Sequence, residues 1–212
     1  MNDATLEPEP AAATLLLGDR LALTRRFTEN LARKGEELGL IGPLELPRLW
    51  TRHILNSALV APLLRPGTVG DIGSGAGLPG LVLAIARPDV RFVLIEPMER
   101  RVAWLNDQSE ELGLINVTVL RGRAEDVTLH ERLDQVTARA VSAFKKLLPL
   151  TAPLLRDGGE LVLMKGANAQ AEIDAAAKEM RKYKVTDARV KVLGEGVTED
   201  VTRVILGTVR AV

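Results

Sequence analysis

The segment best suited to hold a small molecule is Val69–Gly80, where glycines occur at alternate positions after an acidic residue. Glycines let a chain turn tightly between a strand and a helix, and a ligand can lie against the main chain because no Cβ intervenes. The acidic residue can attract positive groups of a ligand, or it can cap a helix or turn. The pattern acidic-x-Gly-x-Gly-x-Gly is formed by Asp71, Gly73, Gly75 and Gly77.

A second carboxylate, Glu96, follows the apolar run Phe92–Ile95. A carboxylate about twenty residues after such a loop accepts hydrogen bonds from both hydroxyls of an adenosine ribose; a surface salt bridge with Arg100 is the alternative. The dinucleotide pattern Gly-x-Gly-x-x-Gly fails at Leu78, and a pyrophosphate prefers helix amides without a nearby carboxylate. S-adenosylmethionine has no phosphate and carries positive groups. The sequence therefore predicts this cofactor, with a nicotinamide-dependent oxidoreductase as the main alternative.

Two further loops follow apolar runs and contribute polar groups. After the third run, the amide of Ala124 and the carboxylate of Glu125 can meet the adenine ring, or they belong to an ordinary charged loop. After the fourth run comes Val136–Val141, which has no Asp/Asn-Pro-Pro-aromatic sequence to hold an exocyclic amine. The chain has no cysteine for attack on cytosine C5, and no paired general base is evident. These absences favour a nucleophile that needs no deprotonation, such as a ring nitrogen with a free lone pair.

The elements that must position these residues alternate between short strands and helices. Buried-looking strands separated by helices predict a parallel sheet covered on both faces, and two final strands without a helix between them predict an antiparallel hairpin. The predicted strands are 68–72, 91–95, 117–120, 133–138, 160–164, 185–193 and 203–209. The predicted helices are 12–38, 44–64, 80–86, 99–112, 143–155 and 169–183. This is the α/β layout of the Rossmann-like class I S-adenosylmethionine methyltransferases, a mostly parallel seven-stranded sheet with an N-terminal helical extension.

Three parts of the chain are expected. Residues 1–10 are acidic and contain two prolines, which predicts a disordered tail; residues 11–66 form a helical module, and residues 67–212 form the Rossmann-like domain. The tail is unlike a signal peptide, and the apolar stretch 11–17 is too short to span a bilayer. We therefore expect a cytoplasmic protein.

The overall charge excludes a protein that coats nucleic acid by bulk electrostatics, because 28 basic residues balance 28 acidic ones. A local basic excess remains between Arg20 and His53, where Arg25 and Arg26 are candidate RNA contacts or part of a solvated helical surface. The two histidines, His53 and His130, are far apart, so no metal centre is expected.

Several motifs together resemble the small-subunit ribosomal RNA methyltransferase G family, also called the glucose-inhibited division protein B family. The resemblance runs from about Leu16 to the C-terminus. The matching motifs are Trp50-x-x-His53, Asp71-Ile-Gly-Ser-Gly-Ala-Gly-Leu-Pro-Gly80, Arg123-Ala-Glu125, Thr137-Ala-Arg-Ala-Val141 and Lys165-Gly166. One departure is Asn56, where the family usually has an aspartate.

The resemblance implies methylation of guanine N7 in the decoding-region loop of 16S ribosomal RNA, within the small subunit or its precursor. It also implies cofactor contacts at Gly73, Leu78, Ala124, Glu125 and Arg139, with Glu96 at the ribose. We expect in-line transfer without a catalytic side chain, and a monomer. A non-catalytic S-adenosylmethionine-binding assembly factor is the alternative of another class.

Three candidate substrate contacts stay open at this point. His53 lies on one helical face with Asn56 and Ser57, either at a pocket rim or as a buried, hydrogen-bonded histidine. Lys165, at the tip of the fifth predicted strand, either contacts RNA phosphate or is a solvated charge. Arg139 is assigned to the carboxylate of the cofactor or to a substrate phosphate.

Overall fold

A seven-stranded sheet forms the centre of the protein, in a computed structural model that describes residues 5–210. The strand order within these residues is β3-β2-β1-β4-β5-β7-β6, and β7 alone runs opposite to the other six strands. The predicted fold class is therefore confirmed. The strands are β1 Thr68–Ile72, β2 Arg91–Glu96, β3 Val117–Arg121, β4 Leu133–Arg139, β5 Leu155–Lys165, β6 Val185–Leu193 and β7 Thr202–Val209.

The strand order reverses direction at β1, since β2 and β3 lie on one side of it and β4 on the other. In open α/β sheets a ligand crevice forms at such a point, outside the carboxyl ends of the strands. The polar segments singled out in the sequence follow β1, β2, β3 and β4 directly. The fold therefore brings them to one edge of the sheet.

Helices cover both faces of the sheet, and apolar side chains fill the two layers between them. Leu81 and Leu83 of α4 and Leu105 of α5 belong to the core of one face. Phe144 of α6 and Ile173 of α7 belong to the core of the other. The helices are α1 Ala12–Leu17, α2 Leu21–Lys34, α3 Asn56–Ala58, α4 Gly80–Ala86, α5 Glu99–Glu111, α6 Phe144–Thr151, α7 Ala169–Asp174 and α8 Ala177–Lys182.

The N-terminal helices are more broken than the apolar periodicity predicts. The expected first helix is interrupted at Gly18, whose φ of 48° is incompatible with a continuing right-handed helix. The expected second helix contains the π-helical segment Leu49–Leu55, which continues into α3. Phe27 and Leu31 of α2 share one hydrophobic core with α4 and α5. The N-terminal helices thus pack directly on the sheet domain.

The beginning of the chain differs in part from the predicted disordered tail. Residues 1–4 lie outside the described residues. Residues 5–10 form no helix or strand, but Glu7 accepts a hydrogen bond from the amide of Thr51 at 3.0 Å and Glu9 forms an ion pair with Arg25. These side-chain contacts fix the segment against the N-terminal helices, which composition alone does not predict. Within residues 5–210, no helix has the length and apolar character to cross a membrane.

Candidate active site

The glycine loop between β1 and α4 adopts a conformation that only glycine takes up readily. Gly73, Gly75 and Gly77 have φ values of 69°, 55° and 89°. The amide of Gly73 donates to the carbonyl of Ile95 at 2.9 Å, which folds the loop over the end of β2. A Cβ at Gly73 would lie 3.1 Å from the side chain of Val141. Glycine at these positions is therefore required by the backbone conformation of the loop and, at Gly73, by the nearby side chain of Val141.

Asp71 lies at the end of β1 and is fully buried. Its Oδ2 accepts a hydrogen bond from the amide of Gly80 at 3.0 Å and so caps α4, the alternative that the sequence left open. Its Oδ1 has no hydrogen-bond partner within residues 5–210. Burial raises the pKa of Asp71 to about 7, against the opposing effects of Ser74, Gly80 and Arg139. The contact that Asp71 makes is therefore structural, since it joins the end of β1 to the start of α4.

Glu96, at the end of β2, is 2% exposed and points its carboxylate at the loop. Its Oε2 accepts from the amide of Gly75 and its Oε1 from the amide of Met98, both at 2.9 Å. Backbone amides, rather than Arg100, therefore hold this side chain. Each carboxylate oxygen keeps a second lone pair, so the group can accept hydrogen bonds from two vicinal hydroxyls.

The loop after β3 lies next to Glu96. The amide of Gly122 donates to the carbonyl of Glu96 at 3.2 Å. Ala124 is buried and Glu125 is exposed. The loops that follow β1, β2 and β3 therefore converge, and Leu78 lies in the first of them. A glycine cradle beside two fixed carboxylate oxygens fits the ribose and adenine of S-adenosylmethionine.

A cavity of about 750 Å³ lies beside this crevice, at the carboxyl ends of β4 and β5. Val141 lines the cavity and also approaches Gly73, so it stands between the cavity and the glycine loop. The ionisable residues that line the cavity are Glu45, Arg52, His53, Arg139, Lys165, Glu172, Asp200 and Arg203.

Arg139, the last residue of β4, points its guanidinium at the N-terminal helices. It donates to Nδ1 of His53, and one nitrogen lies 3.4 Å from both the carbonyl of His53 and Oγ of Ser57. Within residues 5–210, no carboxylate is in ion-pair contact with Arg139. Burial lowers the pKa of Arg139 to about 10, so the guanidinium stays charged at neutral pH. It is a half-buried cation in the wall of the cavity, where an anionic ligand can reach it.

His53 lies between Arg139 and Glu45, and it is buried as well as lining the cavity. Its Nε2 is 2.6 Å from Oε2 of Glu45. Burial and the charge of Arg139 lower the pKa of His53 to about 4, although Glu45 opposes this. The histidine is therefore neutral at physiological pH. The contacts of His53 are those of the buried, hydrogen-bonded histidine, one of the two interpretations of the sequence. Asn56, which follows in the chain, also lines the cavity.

Lys165, at the end of β5, binds to groups within the protein. Its ammonium lies 2.9 Å from Glu172 and 2.5 Å from the carbonyl of Ser142, and its side chain is 7% exposed. Glu172 also accepts from the amide of Phe144, at the start of α6. The pair thus ties the loop after β4 to α7, and contact with RNA phosphate would require Lys165 to leave both partners.

Arg25 and Arg26 lie apart from the cavity. Arg25 forms a two-nitrogen ion pair with Glu9, and Arg26 donates to the carbonyl of Glu111 at 3.0 Å. Glu111 ends α5, which runs from the carboxyl end of β2 back to the start of β3. Arg26 is therefore at the opposite edge of the sheet from the strand tips. The structure does not bring these two predicted substrate contacts to the site.

Sequence reasoning missed several cavity residues. Glu45 lies outside the motifs identified in the sequence, and Arg52 occupies an unspecified position of Trp50-x-x-His53. Asp200 and Arg203 flank the start of β7, and because β7 is antiparallel, Arg203 pairs with Lys165 at the tip of β5. The predicted antiparallel hairpin could have indicated this position of Arg203. An antiparallel strand begins at the sheet edge where its parallel neighbours end.

Comparisons with known proteins agree with this geometry. A family model described as rRNA small subunit methyltransferase G matches residues 20–202. The chain is 76% identical to ribosomal RNA small subunit methyltransferase G of Leifsonia xyli subsp. xyli, covering 97% of this chain and 99% of that protein. It is 67% identical to the protein of the same name from Clavibacter michiganensis subsp. michiganensis, covering 94% and 95% of the two chains.

Solved structures share the fold at low sequence identity. TYW2 of M. jannaschii, in complex with AdoMet, has a TM-score of 0.59 at 21% identity and covers 77% of this chain and 78% of that one. A SAM-dependent methyltransferase from Aquifex aeolicus has a TM-score of 0.58 at 18% identity, covering 82% and 97%. The predicted cofactor, S-adenosylmethionine, is confirmed, and the oxidoreductase alternative is excluded. With its glycine cradle, its fixed carboxylates and these relatives, the chain belongs to the rRNA small subunit methyltransferase G family of S-adenosylmethionine-dependent methyltransferases.

Proposed function

We propose that this enzyme methylates N7 of a guanine in the decoding-region loop of 16S ribosomal RNA. The observation that supports this most is the cavity of about 750 Å³ beside the glycine loop, which is within the size range of small-molecule sites. A base inside a folded RNA must be splayed out of its loop to enter such a cavity. The positive charges of Arg52 and Arg203 at the cavity suit the phosphates that accompany the base.

The proposed chemistry needs no general base. Guanine N7 has an in-plane lone pair and no proton to lose, and bound S-adenosylmethionine supplies a methyl group on a sulfonium. The residues of the chain have to align the nitrogen with that methyl group and to tolerate the purine cation that forms. Asp200 carries the cavity carboxylate that has no ion pair within the described chain. It can stabilise this cation, whereas Glu45 and Glu172 are already paired.

Cofactor binding is assigned to the loops after β1 to β4. The main chain at Gly73, the side chain of Leu78 and the segment Ala124–Glu125 line the crevice, and Glu96 receives the ribose hydroxyls. Arg139 receives an anionic group, either the carboxylate of the cofactor or an RNA phosphate. We place the RNA-binding surface at the cavity rim and on the exposed Lys145 and Lys146 of α6. Charge and exposure favour this surface over one at Arg25 and Arg26.

Mapping of the transferred methyl group tests the proposal. The enzyme is incubated with tritiated S-adenosylmethionine and small subunits from a strain that lacks it, and the labelled nucleotide is located and analysed. We expect 7-methylguanine at one position in the decoding region of 16S RNA. Label on another atom or in another region would overturn the proposal. Binding to the particle without transfer would indicate an assembly factor. The proposal includes a monomer in the cytoplasm, which sedimentation and cell fractionation test.

A mechanism without a general base predicts how the rate of methyl transfer depends on pH. With cofactor and substrate saturating, the single-turnover rate should be flat from about pH 6 to 9, because no enzyme group has to lose a proton during the step. His53 is unsuitable as a base because it donates through Nε2 and accepts through Nδ1. A steep rise that disappears when His53 or a cavity carboxylate is replaced would contradict the mechanism.

A further inference from the structure

Arg139 has unusual neighbours for a half-buried cation. A guanidinium partly removed from water is normally matched by a carboxylate, yet the acceptors around Arg139 are an imidazole nitrogen, a carbonyl and a hydroxyl. Asp71 and Glu45 act on it only through space. The shortest of these contacts is to the ring of His53. The direction of the guanidinium thus depends mainly on a neutral side chain.

The contacts determine which nitrogen of His53 carries the proton. A guanidinium has donors and no acceptor, so Nδ1 must present its lone pair to Arg139. The ring proton is then on Nε2, which donates to Glu45 at 2.6 Å. Glu45 is itself held by Arg48 at 2.6 Å and lies 3.7 Å from Arg52. Hydrogen bonds are therefore donated from Arg139 to His53 and from His53 to Glu45, which also accepts from Arg48.

We propose that His53 and Glu45 are positioning residues that aim Arg139 at an anionic oxygen of the reactants. Glu45 selects the Nε2–H form of His53, and the Nδ1 lone pair holds one side of the guanidinium. The remaining N–H groups of Arg139 face the cavity, where they can bind a carboxylate or a phosphate. This inference rests on the proposed function for the identity of the anion and on the described contacts for the positioning.

Two replacements of His53 separate positioning from packing. In His53→Asn the side-chain oxygen takes the place of Nδ1, so the acceptor for Arg139 is kept and the contact with Glu45 is lost. In His53→Gln the terminal amide takes the place of Nε2, so the contact with Glu45 is kept and the acceptor for Arg139 is displaced. Both variants carry a neutral amide, which matches the neutral histidine. Thermal unfolding of each variant shows whether it is folded.

We expect His53→Gln to weaken binding of the anionic ligand by about tenfold or more, and His53→Asn, which keeps the acceptor but loses its orienting partner Glu45, to weaken it by a smaller factor. Calorimetry with S-adenosylmethionine and with its decarboxylated analogue identifies the anion. If it is the cofactor carboxylate, His53→Gln weakens binding of S-adenosylmethionine and leaves the analogue unaffected. If it is an RNA phosphate, cofactor affinity is unchanged and KM for the small subunit rises. Equal losses in the two variants, or none in His53→Gln, would overturn the inference.

Nitrogen chemical shifts of the two histidines give a readout that does not involve activity. His130 is exposed, so His130→Asn assigns the signals without touching the site. We expect His53 to be neutral with its proton on Nε2 near pH 7. A proton on Nδ1, or an imidazolium, would contradict the proposed positioning even in a fully active enzyme. Failure of the wild type to transfer a methyl group would instead count against the proposed function.

Discussion

Gly73 is the residue at which an added side chain should affect ligand binding most. Its φ is 69°, and a Cβ at this position would lie 3.1 Å from the side chain of Val141, a contact tight enough that Val141 must shift. We expect Gly73→Val to abolish binding of S-adenosylmethionine in calorimetry while the protein stays folded. Gly113→Val is the matched control, because Gly113 has a φ of 65° but no heavy atom within 4 Å of its Cβ position. Retained affinity in Gly73→Val would refute the close approach of the ligand.

Glu96 is the second residue whose removal has a predictable effect. Glu96→Ala should weaken S-adenosylmethionine binding by about 1.5–3 kcal/mol, the range for hydrogen bonds to a charged group. Because Glu96 also holds the amide of Gly75, Glu96→Gln is a useful comparison that keeps one acceptor oxygen. Calorimetry of both variants measures the effect, and unchanged affinity in Glu96→Ala would mean that the ribose is held elsewhere.

At the level of elements, Asp71 couples β1 to α4 through a carboxyl group with a raised pKa. The pKa of Asp71 is about 7 in the folded protein and 3.8 ordinarily. Between pH 3.8 and 7 the folded protein therefore binds a proton at Asp71 that the unfolded chain does not. Its contribution to stability is therefore present at low pH and is lost as the pH rises toward 7. His53 has the opposite effect, since its folded pKa of about 4 lies below the ordinary 6.5, and stability is lost as the pH falls through this range.

Mutation can separate the two opposing effects of pH on the free energy of unfolding. We expect Asp71→Asn to remove the loss of unfolding free energy with rising pH, so that the stability of the ligand-free variant increases with pH between about 4 and 7. His53→Asn should remove the opposite slope and make stability fall more steeply with pH. Urea unfolding across this range measures both. Parallel curves for the wild type and the two variants would show that neither group titrates as described.

The elements themselves differ in how far the sequence predicts them. The apolar runs predict β1 and β6 with their observed bounds, because strand length and burial are local properties. The start of β5 at Leu155 is not predicted, since the polar and glycine residues 156–159 do not resemble a strand. The contact between Glu45 and His53 joins residues eight positions apart that do not share a helix turn. His53 belongs to the π-helical segment Leu49–Leu55 and Glu45 precedes it, so helical periodicity does not predict this contact.

At the scale of the whole molecule, the distribution of charge separates two faces. We expect charge reversal at Arg203 and Lys145 to lower affinity for the small subunit and to reduce the salt dependence of binding, because fewer counterions are released. Charge reversal at Arg25 and Arg26 is the comparison, and we expect it to leave the salt slope nearly unchanged since these arginines are already engaged with Glu9 and Glu111. Binding titrations at several salt concentrations measure both slopes. A reduced slope only in the second pair would place RNA at the N-terminal helices.

The position of β7 also affects how the protein is made. β7 is the last strand along the chain, yet it lies between β5 and β6 in the sheet. While β7 is still inside the ribosome that synthesises it, β6 has no neighbour to pair with, and Asp200 and Arg203 are absent from the cavity. We therefore expect the newly made enzyme to stay inactive until β7 has emerged from the ribosome. A growing chain would then be unable to modify the particle that is producing it, and its first substrate would be another ribosome or a precursor.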